Sequence, residues 1–178
     1  MADFLCDFSL IKKNTAGKAF GHVYYTCENR VPGGMKQNII DGQTIRFNRH
    51  GKLGAIALTA KDTLTVQKAS NFRMSFLVSY SSPYPRTQVG IMVNDQVIAI
   101  FGLNNPNPPF LNPPSINPLI FPPVTTSLPV KQLKGEFSGF LNEGDTIKLV
   151  GIGQPFMIRR AGSFDEVIVN LIVEETNK

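Results

Sequence analysis

"NFRMSFLVSY", Asn71–Tyr80, alternates residue by residue. Phe72, Met74, Phe76, Val78 and Tyr80 share one face, and Arg73, Ser75, Leu77 and Ser79 share the other. Successive side chains of an extended chain point to opposite sides, so this period of two marks a strand with one face in a core.

Working outward, the same period recurs in short segments bounded by turn residues, and helical periodicity is nearly absent. "AFGHVYYT" (Ala19–Thr26), "QTIRFN" (Gln43–Asn48) and "DTLTVQ" (Asp62–Gln67) precede the central strand. "QTIRFN" is expected to end in a turn at Asn48-Arg49-His50-Gly51. "TQVGIMVNDQVIAIFG" (Thr87–Gly102) reads as a hairpin turning at Asn94-Asp95, because Asn and Asp tolerate the positive φ of a two-residue turn. "PVKQLKGEFSGFL" (Pro129–Leu141), a turn at Asn142–Asp145 and "TIKLVGIG" (Thr146–Gly153) follow. In the closing "FDEVIVNLIVEE" (Phe164–Glu175), apolar residues fall on both faces, which implies a strand covered on both sides. About ten such strands predict an all-β, two-sheet jelly-roll sandwich.

One stretch breaks the pattern. Nine of the chain's thirteen prolines lie between Pro106 and Pro129, which excludes helix and central strand there. Phe110, Leu111, Ile116, Leu119, Ile120, Phe121 and Val124 make the stretch apolar, and charge is absent from Gly102 to Val130. Disordered segments combine low hydrophobicity with high charge. Residues 103–129 are therefore read as a loop inserted between two strands, packed on its own sandwich or on a neighbouring subunit, with Phe110, Ile120 and Phe121 as contacts.

At 178 residues the chain fits one domain. Charged residues make up 17%, below the usual quarter. That scarcity points to an oligomer or an insoluble assembly, with a monomer of polar, uncharged surface as the blander alternative. The net charge of +5 is dispersed, with no RNA-binding strand motif, basic helix or arginine-rich arm, so nucleic acid is not expected as a partner. No run reaches the ~18 apolar residues of a membrane span, and no secretory signal opens the chain. Cys6, Cys27, His22 and His50 have no metal-ligand spacing, and no catalytic motif is present. No catalytic residue, metal or cofactor is expected. Asp145 is read as a turn-stabilising residue, His22 as a strand surface residue and His50 as part of a turn.

"IRFNRHGKLGAIALTAKDTLTVQKASNFRMSFLVSY" (Ile45–Tyr80), "VGIMVNDQVIA" (Val89–Ala99), "LNEGDTIKLVGIG" (Leu141–Gly153) and "VIVNLIV" (Val167–Val173) resemble the head domains of Bacillus spore glycoproteins of the BclA type. Those heads are trimeric jelly rolls like tumour necrosis factor (TNF) and complement globular heads. "CDFSLIKKNTAGKAFGHVYY" (Cys6–Tyr25) resembles the start of exosporium basal-layer proteins of the ExsFA/BxpB type. The proline-rich insertion departs from that pattern, and no Gly-X-Y stalk is present.

The resemblance implies a non-enzymatic homotrimer of the spore surface, made in the mother-cell cytoplasm and linking collagen-like filament glycoproteins or other exosporium proteins. It implies three sandwiches around an axis, with Phe137, Ile168 and Ile172 as interface candidates. Residues 1–18 form an N-terminal extension ahead of a domain spanning 19–178. Phe4, Leu5, Cys6 and Phe8 are its expected partner-binding residues. Cys6 is read either as reduced under a folded-back tail or as an intermolecular disulfide, with Cys27 packed or a second cross-link point. A soluble trimeric module binding a glycan or receptor is the alternative, with Tyr80-Ser81-Ser82-Pro83-Tyr84 as the segment to line its site.

Overall fold

The computed structural model describes residues 18–26, 37–84, 86–102, 130–159 and 167–176. They form twelve strands and no helix: β1 Phe20–Thr26, β2 Gln37–Ile39, β3 Arg49–Gly54, β4 Ile56–Ala60, β5 Thr63–Val66, β6 Ser70–Ser81, β7 Thr87–Val93, β8 Gln96–Gly102, β9 Lys131–Leu141, β10 Thr146–Gly153, β11 Phe156–Ile158 and β12 Val167–Glu175. All pairings are antiparallel, in two sheets.

The larger sheet is organised by β6. Along one side it pairs with β9, from Ser70↔Leu141 to Tyr80↔Lys131. Its other side takes β12 over Phe72–Val78 and the short β11 at Tyr80–Ser81. β12 continues to β1 and β3, while β11 continues to β2. The smaller sheet runs β4-β5-β10-β7-β8. The two meet face to face over Phe72, Met74, Val78, Val23, Leu171 and Val173 from one layer and Leu64, Val89, Ile91, Ile147 and Leu149 from the other, all fully buried. Each such side chain contributes about 1.5–3 kcal/mol relative to exposure.

The hairpin expected at Asn94-Asp95 is present, with φ of 49° and 62° at the two positions. Asn94 also locks the neighbouring turn. Its side-chain oxygen accepts the Thr146 N–H at 2.9 Å, and its amide donates to Asp145 Oδ1 at 2.7 Å. Asp145 Oδ2 in turn accepts the Asn142 N–H at 2.8 Å, and Gly144 supplies the positive φ of 93°. The predicted backbone role of Asp145 is what the structure shows.

The expectation for Gln43–Gly51 needs correction. Gln43–Phe47 alternates as a strand does, with Ile45 and Phe47 buried. It nevertheless lies beside β10 through a single bridge, Thr44↔Val150, and bonds such as Ile45 N–H to Leu149 C=O at 2.9 Å. Arg49, His50 and Gly51 are not a turn but the start of β3, where His50 faces Val23 of β1. Ala55, at φ 55°, carries the chain from β3 in one sheet to β4 in the other.

At the far edge, β8 and β9 close the sandwich. Phe101 of β8 meets Phe76 of β6 edge to face, with centroids 5.2 Å apart. Gly135 of β9 leaves the room for this pair, since a Cβ there would press inside contact distance of both rings.

Candidate functional site

The inward face of the larger sheet is spent on the core, so its outward face is what the protein can offer to others. Register fixes that face row by row. His22, Ile172, Ser75 and Glu136 line up across β1, β12, β6 and β9. Tyr24, Asn170, Leu77 and Lys134 form the next row, and Phe20, Glu174, Arg73 and Ser138 the row on the other side. Phe140, opposite Asn71, is 60% exposed.

Phe20, Tyr24, Leu77 and Ile172 are only half-buried there, with no second layer over them among the described residues. His22 packs obliquely on Tyr24, with ring centroids 5.2 Å apart, and lies over Gly51, where a Cβ would meet its Nδ1 at 2.7 Å. His22 Nε2 and Asn170 Oδ1 are buried without a hydrogen-bond partner, an arrangement that costs free energy until a partner is found. An open groove of about 510 Å³ borders this face, lined by His22, Tyr24, Thr26, Arg49, Gly51 and Val167. Charge enters this face at Lys134 and Glu136 of β9 and at Arg73 and Glu174 of β6 and β12. Arg73 donates to Glu136 at 2.7 Å and lies 3.7 Å from Glu174, exposed pairs that solvent screens.

Of the three interface candidates, Ile172 stands on the outward face. Ile168 is fully buried, beside the register shift at Tyr25/Thr26, and belongs to the core. Phe137 is opposite Met74 on the core-facing side of β9, half-buried against the core. Phe20, Tyr24, Leu77 and Phe140, not singled out in the sequence, share that outward face. The alternation of β1 held the clue, since Phe20, His22 and Tyr24 sit opposite Val23 and Tyr25. Phe4, Leu5, Cys6, Phe8, Cys27, Phe110, Ile120 and Phe121 lie outside the described residues.

Asp62 and Glu175 are committed to structure. Asp62 accepts from Thr44 Oγ1 at 2.6 Å and Thr63 Oγ1 at 2.8 Å. Burial alone would raise its carboxyl, and these bonds outweigh it and hold the group below its ordinary value. Glu175 accepts the Ala19 N–H at 2.8 Å, the Ser70 hydroxyl at 2.8 Å and the Lys68 ammonium at 3.0 Å. The Ala19 backbone bond first, then Ser70 and Lys68, lower it to about 2. Among the described residues no three His, Cys, Asp or Glu converge as metal ligands. In the Tyr80–Tyr84 segment, Tyr80, Ser81 and Ser82 are buried, and Ser82 Oγ donates to Pro155 C=O and accepts the Tyr84 N–H. Only Pro83 and Tyr84 face solvent.

Two sheets in this order, closed at one edge by β8 and β9, have counterparts among solved structures. TNF Eiger from S. frugiperda superposes with a TM-score of 0.61 at 7% identity, over 90% of this chain and 93% of that one. The globular domain of the zebrafish complement 1qA protein gives 0.52 at 11% identity, over 88% and 94%. Murine APRIL gives 0.51 at 8% identity, over 90% and 100%. The fold is a TNF-like jelly roll. No protein-family model and no curated protein sequence matches the chain, and at these identities the likeness speaks for architecture alone.

Proposed function

We propose that the protein is a non-enzymatic structural component of the spore surface, the exosporium, that assembles as a homotrimer and links filament glycoproteins through residues 1–18. The observation that carries the assembly is the outward face of the larger sheet, where half-buried Phe20, Tyr24, Leu77 and Ile172 and exposed Phe140 lie on the same side as the unpartnered His22 Nε2 and Asn170 Oδ1. A contact between copies would bury these apolar groups at about 25 cal/mol per Å², offset by the cost of association. The spore setting rests on the resemblance of Cys6–Tyr25 and Ile45–Tyr80 to exosporium proteins. In that setting Cys6 forms intermolecular disulfides once the spore surface meets an oxidising exterior.

Fractionation of sporulating cells tests this reading. The protein is expected in the exosporium fraction, and a chain lacking Met1 to Lys13 is expected to fold and trimerise but stay out of it. Cys6→Ser is expected to make the protein extractable without reductant. Recovery of the truncated chain at wild-type level in the exosporium would remove the connector role. Absence of the intact chain from spores, together with selective binding on a glycan array, would favour the recognition module.

A further inference from the structure

Asp41-Gly42 is the only place in the sequence where glycine follows aspartate or asparagine. Such a pair is chemically unstable by itself. With no side chain on the second residue to hinder it, the glycine nitrogen can reach the preceding carboxyl carbon and close a succinimide ring. The Gly42 nitrogen loses its proton and bonds to Asp41 Cγ, and one carboxyl oxygen leaves as water. Water then opens the ring at either carbonyl, restoring aspartate or leaving isoaspartate, in which the backbone runs through the former side chain. The net change is an isomerisation that consumes no reactant.

Asp41 and Gly42 are exposed, at the tip of a turn closed by Gln43 N–H to Ile40 C=O at 3.0 Å, with Gly42 at φ 76°. Both reacting groups are nevertheless occupied. The Gly42 N–H donates to Gly151 C=O at 2.9 Å, and Asp41 Oδ1 accepts the Gly153 N–H at 2.8 Å. The Gly151 N–H returns to Gln43 C=O at 2.9 Å. This close approach requires glycine at 151, since a Cβ there would press on Ile39 Cγ2 and lie 3.0 Å from Ile40 C=O. Ring closure therefore has to break two bonds to the end of β10 before nitrogen and carbon can meet.

We propose that Asp41-Gly42 is the chain's site of isoaspartate formation, and that Gly151–Gly153 at the end of β10 is a clamp that keeps the site unreactive in the folded state. Escape from the clamp has a structural consequence. The extra backbone atom shifts Gly42 away from Gly151 and loosens Gln43–Phe47, which rests on β10 through the Thr44↔Val150 bridge and Ile45 N–H to Leu149 C=O.

Prolonged incubation of the full chain near neutral pH, folded and in urea, tests this, with isoaspartate at residue 41 read by electron-transfer fragmentation of its peptide. Formation is expected to be roughly tenfold slower or more in the folded chain, because two bonds must open first. Absence of isoaspartate from the unfolded chain, or equal rates in the two states, would overturn the proposal. Gly151→Ala is expected to speed formation several-fold in the folded chain. An unchanged rate in that variant, with its β-type circular dichroism intact, would place the protection elsewhere and overturn the clamp. Should the variant not fold, hydrogen exchange of the unmodified protein decides. Slow exchange is expected at the Gly42 and Gly153 amides, and exchange as fast as in an unstructured peptide overturns the clamp.

Discussion

Phe101 and Phe76 meet edge to face across the two sheets, 76° apart in plane, in a space that exists because residue 135 has no side chain. A Cβ on Gly135 would lie 2.6 Å from the Phe101 ring and closer still to Phe76. Neither ring can swing away without leaving the core. Gly135→Ala is therefore expected to destabilise the fold by about 1–3 kcal/mol. Thermal unfolding followed by circular dichroism checks this, with a drop of about 2–4 °C expected per kcal/mol.

Glu175 makes stability depend on acid. Its carboxyl titrates near 2 in the folded chain against an ordinary 4.5. Between those values the unfolded chain binds more protons, so stability rises with pH across that window. The contribution is complete above about 4.5 and fades as pH falls through 2; Asp62, also lowered, adds in the same direction. Glu175→Gln is expected to lose about 1–3 kcal/mol at neutral pH and to flatten the pH 2–5 slope. Urea unfolding at several pH values measures both.

Asn94 serves two turns at once, through its own positive φ and its bonds to Thr146 and Asp145. Asn94→Ala removes both bonds and strains the left-handed backbone, so a loss of about 1–3 kcal/mol is expected. Asn94→Gly keeps the backbone free and is expected to cost less. Equal losses in the two variants would assign the whole effect to the side chain.

Ile172 and Ile168 separate assembly from folding. Ile172→Asp is expected to reduce the light-scattering mass from trimer to monomer while the β-type spectrum persists. Ile168→Asp places a charge in the core and is expected to cost several kcal/mol and unfold the chain. A monomeric mass for the unmodified protein at every concentration would end the trimer reading.

The architecture was legible where alternation and turn chemistry agree. β6, β7, β8, β10 and β12 each carry a clean apolar face or an Asn-Asp or Asn-Glu-Gly-Asp turn. Arg49–Gly54 was not legible: as an edge strand it buries almost nothing, so Arg-His-Gly-Lys leaves no periodic trace and reads as a turn. Gln43–Phe47 misleads in the opposite sense, since Ile45 and Phe47 alternate into the core without a full ladder. The candidate surface was half legible. Alternation shows that Phe137 and Phe140 lie on opposite faces, but only pairing with Met74 and Asn71 shows which face is the core. Ile168 falls beside a register shift, where parity counted from Val169 no longer assigns a side.

The Ala19–Glu175 bond has a geometric consequence. It places Ala19 beside the Ser70 end of β6, whereas Lys131, which opens β9, lies beside Tyr80 at the opposite end. The twelve residues of β6 separate the two by roughly 35 Å. The sandwich is thus a particle with two unlike poles. Any array tethered ahead of Ala19 would present every copy the same way up, with the start of β9 turned away from the tether.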